Sequence, residues 1–336
     1  MKYLILLALL FFCFSSLFTQ GIQPTGSGTQ GDPYQIANLG NLEWISIDTT
    51  SWDAHFIQTA DIDASDTQNW NGGEGFNTIG INIDFSSHGT PFSGCYNGQN
   101  HSIDSLFISR PGIGGQGLFG SIFQATIENL GVVNADVNGL VGVGCLAGGS
   151  VFSTITNCFS IGSASGGWQI GGLVGYSAGS NVINCYSDCN VNNNNGDTTG
   201  GLIGSNDQSE VHNCYSTGNV NGLRNVGGLI GFSGYTATVT NSYSTGDVNG
   251  ISSVGGFAGV NAYGSTINTC HSTGNVNGGG ETGGLVGRNI NLSTIFSCFS
   301  TGNVIGSNRI GGLAGTNDYS SITDCYSSGN ASGNSA

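Results

Sequence analysis

Charge is scarce in this chain, and positive charge most of all. Five basic and 20 acidic side chains among 336 residues make 7%, against about a quarter in an ordinary globular protein. The sole lysine is Lys2, and the arginines are Arg110, Arg224, Arg288 and Arg309. Nucleic acid, an anionic membrane surface and a polyanionic substrate each require a basic patch, which four scattered arginines cannot build. Met1 is the only methionine. Beyond the first twenty residues there is no apolar run of the roughly 20 residues that a membrane-spanning helix needs. Disorder is excluded by a mean hydropathy near zero and by 10% aromatic residues. Glycine is abundant instead: 60 residues, about two and a half times ordinary usage, which argues against a helical enzyme.

Residues 1–20 begin Met-Lys, continue with an apolar run from Tyr3 to Phe14 and end in short polar residues. That is the pattern of a secretory signal peptide, with cleavage expected between Ser16 and Gly21. Leu10-Phe11-Phe12 before Cys13 lacks the small residue that lipobox processing requires. The mature protein is therefore expected outside the cell or at its surface, with four arginines against 20 acids and a net charge of 4 − 20 = −16.

Internal repetition dominates the rest. Gly-Gly-Leu/Phe-x-Gly occurs at Gly171, Gly200, Gly227, Gly255, Gly283 and Gly311, with imperfect copies at Gly144-Cys145-Leu146 and Gln116-Gly117-Leu118. The apolar residue falls at 118, 146, 173, 202, 229, 257, 285 and 313, in steps of 27 to 29. In step with it runs a cysteine column, Cys158, Cys185, Cys214, Ser242, Cys270, Cys298 and Cys325. Ile or Val stands three residues earlier (Ile155, Val182, Val211, Val239, Ile267, Ile295, Ile322), and an aromatic or histidine follows (Phe159, Tyr186, Tyr215, Tyr243, His271, Phe299, Tyr326). Thr-Gly-Asn/Asp-Val recurs at Thr217, Thr245, Thr273 and Thr301.

Short β-type segments separated by Gly, Asn and Ser cannot form a core within 28 residues, but stacked copies can. The pattern predicts an all-β fold, a parallel β-solenoid (β-helix) of about 28-residue coils. Eight coils at about 4.8 Å each give a rod of about 38 Å. Residues 113–330 hold the repeats. Residues 21–112 are read as the cap and first, longer coils, including a short capping helix over 37–46 whose apolar spacing fits one helical face. The polar tail 331–336 is too hydrophilic to cap the last coil, so a missing C-terminal domain or a neighbouring chain is expected there.

The repeat resembles the GLUG motif of bacterial surface proteins, among them adhesin-like proteins and the non-catalytic regions of some IgA-specific metallopeptidases. The resemblance covers about 118–330. It implies a secreted or cell-surface β-helical protein, commonly linked to adhesion, and it carries no catalytic residues.

The cysteine column reads as small buried thiols. Disulfides between rungs are the alternative, which the crossed disulfide geometry disfavours when side chains point in parallel. The adjacent aromatics are expected to point outward as a partly exposed stack, either packing on a corner or offering a ligand platform. No catalytic, cofactor-binding or metal-ligating residue is nominated. His55, His88, His101, His212 and His271 contain no His-Glu-x-x-His pair. The densest acidic group, Asp61, Asp63 and Asp66, has Trp52 and Trp70 nearby in sequence. It suits turn and strand-end roles better than calcium binding. Asn219, Asp247, Asn275 and Asn303 read as turn residues.

The first functional expectation is a non-catalytic binding, adhesion or spacer module whose partner is a surface glycan or protein, with no cofactor. The alternative is a carbohydrate-active enzyme on neutral glycans that uses the N-terminal carboxylates. A third reading, ice binding by the threonine column, is weakened where the column breaks at Ile161 and Asp188.

Overall fold

A computed structural model describes residues 21–81, 89–193 and 195–333. The expected signal peptide, His88 and residues 334–336 of the polar tail lie outside the described residues. Among the described residues, no helix is long and apolar enough to cross a membrane.

The chain forms a parallel β-solenoid with three faces. One coil shows the pattern. Trp168–Gly171 lies on the first face, Val174–Ala178 on the second, and Asn181–Ile183 with Tyr186–Asn193 on the third. Each strand pairs in parallel with its copy one coil along, building sheets of seven, eight and 25 strands among the described residues. The Ile/Val column stays in register from Ile127 through Ile155, Val182, Val211, Val239, Ile267 and Ile295 to Ile322. Leu118, Leu146, Leu173, Leu202, Leu229, Phe257 and Leu285 are fully buried inside the rod. Identical positions thus bury identical atoms against one another, so one continuous core replaces the separate cores that 28-residue units could not form.

The Ile/Val column runs back beyond the repeats. Ile127 pairs with Tyr96, Tyr96 with Phe56, and Phe56 with Tyr34. Larger side chains fill the same inward position where the coils are longer and less regular. The helix spans Leu39–Ile47. It starts at Asn38, whose side chain accepts the Asn41 N–H at 3.0 Å, a standard N-cap arrangement. Its Leu42 and Ile45 join the core, and the Ile45 carbonyl accepts the indole N–H of Trp52 at 2.7 Å. Arg110 is also interior. It donates to backbone carbonyls of Gly75 and Phe76 and meets Glu74 at 3.5 Å, so it fastens the 74–77 segment to the rod.

Candidate binding faces

At the corner between the two third-face strands, one residue per coil adopts a left-handed backbone: Asn157, Asn184, Asn213, Asn241, Thr269, Ser297 and Asp324, with φ between 50° and 55°. This bend takes the next N–H out of the β-ladder. A buried N–H left without an acceptor costs about 1–3 kcal/mol, and the cysteine column supplies the acceptor. The Cys158 N–H donates to Cys185 Sγ at 3.4 Å, Cys185 to Cys214 Sγ at 3.4 Å, and Cys270 to Cys298 Sγ at 3.3 Å. Cys214 donates to Ser242 Oγ at 3.1 Å, so the one serine in the column does the same work. These cysteines are free thiols. Burial pushes the Cys185 and Cys214 thiols well up, which makes them unreactive.

This role fixes an expected mutational contrast. Cys214→Ser keeps an acceptor for the Cys185 N–H and is expected to cost about 1 kcal/mol or less. Cys214→Val fills similar space but removes the acceptor, for about 1–3 kcal/mol. Urea unfolding midpoints compare the two, and equal midpoints would show that the sulfur only fills space.

Outside this corner stand the aromatic residues. Phe159, Tyr186, Tyr215, Tyr243, His271, Phe299 and Tyr326 stack face to face with centroids 4.6 to 5.2 Å apart and planes within 10°. The strand spacing imposes that distance. All are half-buried except Tyr326, which is exposed. Burial lowers the His271 pKa, which favours the neutral ring in the stack.

The second corner follows the same rule, and sequence reasoning missed it. A left-handed residue (Gln124, Phe152, Gly179, Gln208, Thr236, Gly264, Leu292, Tyr319) precedes a small residue (Ala125, Ser153, Ser180, Ser209, Ala237, Ser265, Ser293, Ser320). The Ser153 N–H donates to Ser180 Oγ at 3.0 Å, Ser180 to Ser209 Oγ at 3.0 Å, and Ala237 to Ser265 Oγ at 3.1 Å. The serine column was visible in the repeat, but serine is common enough here to hide it.

The flanking residues at this corner carry most of the exposed aromatic surface. Tyr235 and Tyr263 stack at 4.9 Å, with Phe232 beside both. Tyr263, Gly264, Asn291, Leu292 and Tyr319 line an open groove. Leu292 and Tyr319 are each 81% exposed.

The acidic segment is arranged differently. Asp61 accepts the Ser102 N–H at 2.9 Å and lies 3.3 Å from His101 Nδ1, and these contacts lower its pKa. Asp63 accepts the Ser65 N–H at 2.9 Å, and the Ser65 hydroxyl and N–H lower its pKa too. A glycosidase acid has to stay protonated near neutrality, whereas both of these carboxyls are drawn towards ionisation. Trp52 is in the core, 2% exposed, and Trp70 packs on Phe76 at 6.3 Å. Among the described residues no group of three His, Cys, Asp or Glu side chains is placed to hold a metal ion.

Other polar columns work along the rod. Asn219 Oδ1 accepts the Asp247 N–H at 3.0 Å, and Asp247 Oδ1 accepts the Asn275 N–H at 2.8 Å. Thr217, Thr245, Thr273 and Thr301 are exposed in a single file, and Thr217 donates to Asp188 at 2.7 Å.

The model of the GLUG motif matches residues 166–192, 195–221, 222–249 and 306–332. Each match begins beside a first-face strand and ends beyond the third-face corner, one coil long. This is a GLUG-repeat protein. The coils over 250–305, which fall between the matches, stack in the same register as their neighbours, so the GLUG geometry is continuous along the rod. The chain is 39% identical over 160 residues to halomucin of Haloquadratum walsbyi, a stretch covering 47% of this chain and 2% of halomucin. Its fold is similar to the crystal structure of a candidate immunoglobulin A1 protease from Bacteroides ovatus, with a TM-score of 0.61 over 89% of this chain and 86% of that one, at 19% identity. At that identity the likeness concerns the fold.

Proposed function

We propose that this GLUG-repeat rod is a secreted or cell-surface module that acts by binding or spacing and has no catalytic role. The similarity to halomucin and the signal-peptide pattern of residues 1–20 support the location. The observation that carries the binding role is the exposed ridge at the second corner. Stacked tyrosine rings, an adjacent leucine and Asn291 offer flat apolar faces with hydrogen-bonding groups beside them. Tyrosine combines an apolar body with a polar tip, which suits the C–H faces and hydroxyls of sugars. The scarcity of basic groups and the formal charge of −15 favour a neutral glycan over an acidic one.

Affinity electrophoresis in gels containing laminarin, galactomannan or dextran tests this directly. Retardation is expected with at least one of them. Tyr263→Ala and Tyr319→Ala are each expected to weaken it about fivefold, the worth of one aromatic contact of about 1 kcal/mol. Retardation unchanged by both substitutions would move binding off this ridge. Release of sugar, lost on Asp61→Asn or Asp63→Asn, would establish a carbohydrate-active enzyme instead.

A further inference from the structure

Among the described residues three cysteines, Cys95, Cys145 and Cys189, stand outside the corner column, and the last two occupy positions where the repeat has glycine. Cys145 takes the place of the second glycine of Gly-Gly-Leu, held by Gly172 and Gly201 in the next coils. Cys189 stands where the later coils have Gly218, Gly246, Gly274 and Gly302. The two departures meet: Cys145 Sγ lies 3.6 Å from Cys189 Sγ, and both residues are fully buried. They are 44 residues apart, about one and a half coils. The two adjoining coils leave room because each places glycine where the other has cysteine: Gly162 of the Cys145 coil is in register with Cys189, and Gly172 of the Cys189 coil lies beside Cys145. A side chain at Gly172 would meet Cys189 Cβ.

We propose that Cys145 and Cys189 form a disulfide that staples adjoining coils while the rod folds in an oxidising environment. A disulfide needs its sulfurs at about 2.05 Å, so side-chain rotation has to close the remaining gap. The corner thiols differ in being committed to backbone N–H groups. The oxidant is a low-molecular-weight disulfide, R–S–S–R. The thiolate of Cys189 attacks R–S–S–R before the coils close over it, forming a mixed disulfide and releasing R–S⁻. The Cys145 thiolate then attacks Cys189 Sγ and releases the second R–S⁻. The two thiol protons end on the two R–SH molecules, and R–S–S–R is reduced as the cysteine pair is oxidised.

The test is refolding of the full chain from denaturant with glutathione disulfide, alkylation under denaturing conditions, chymotryptic digestion and mass spectrometry. It does not depend on where the protein resides. The expected product is a cross-linked pair of peptides containing Cys145 and Cys189, two hydrogens lighter than the separate peptides, with both residues lost from the alkylated pool. Cys189→Gly restores the repeat residue. It is expected to abolish the cross-link and to remove the fall in melting temperature that a phosphine reductant causes in the parent. Full alkylation of both cysteines, or cross-links between corner-column neighbours instead, would overturn the proposal.

Discussion

Gly255→Ala is expected to unfold the coils around it, whereas Gly280→Ala, the same substitution in the same seven-stranded sheet, leaves stability within about 0.5 kcal/mol. Gly255 pairs in register with Gly227 and Gly283, and a Cβ there would overlap the Ala258 carbonyl oxygen and press on the Gly287 nitrogen. The obstacles are backbone atoms, and they are hydrogen-bonded into the next coil, so they cannot swing aside as a side chain would. The cost belongs with overpacking and strain at the severe end, about 4 kcal/mol or more. Gly280 pairs with Ser252 and Asn308, which carry side chains, and a Cβ there meets nothing within 4 Å. Thermal unfolding followed by far-UV circular dichroism checks the pair. Equal melting temperatures would mean that the first glycine of Gly-Gly serves no packing purpose.

The fold was legible in the sequence because the solenoid writes each inward position eight times. The Leu/Phe column and the Ile/Val column keep their period to within a residue, and both lie in the core. The helix was legible from Leu39, Leu42 and Ile45, and it begins two residues later than the sequence suggests because Asn38 caps it. Less legible was why cysteine recurs. Burial explains a small apolar residue, but the sulfur as acceptor for an N–H turned out of the ladder depends on the left-handed Asn before it, a backbone property visible only in three dimensions. The second corner escaped for a related reason. Its serines do the same work, but the residues beside them (Phe152, Gly179, Gln208, Thr236, Gly264, Leu292) share no side-chain chemistry, so no motif marks the ridge. Nor could sequence place Asp61, whose neighbours in space, His101 and Ser102, are about 40 residues away in the chain.

The mutual dependence of coils is the central claim, and chain deletions test it. Removing residues 229–256 joins Gly228 to Phe257, which is equivalent to Leu229, so every inward column closes up by one rung. In a solenoid, stability is close to a sum of repeat and neighbour terms. The shortened rod is expected to keep its β-type circular dichroism and a cooperative transition, and to lose about 4.8 Å of length. Removing only residues 229–242 joins Gly228 to Tyr243. That sets a half-exposed ring where a buried leucine belongs, drops the Ser242 acceptor and displaces one face onto another. The decisive measurement is thermal unfolding of these two variants beside the parent. The account predicts a cooperative transition near that of the parent for the 28-residue deletion and none for the 14-residue deletion. If the two deletions behave alike, or the shorter one is the better tolerated, coils stacked in register are not what holds this protein together.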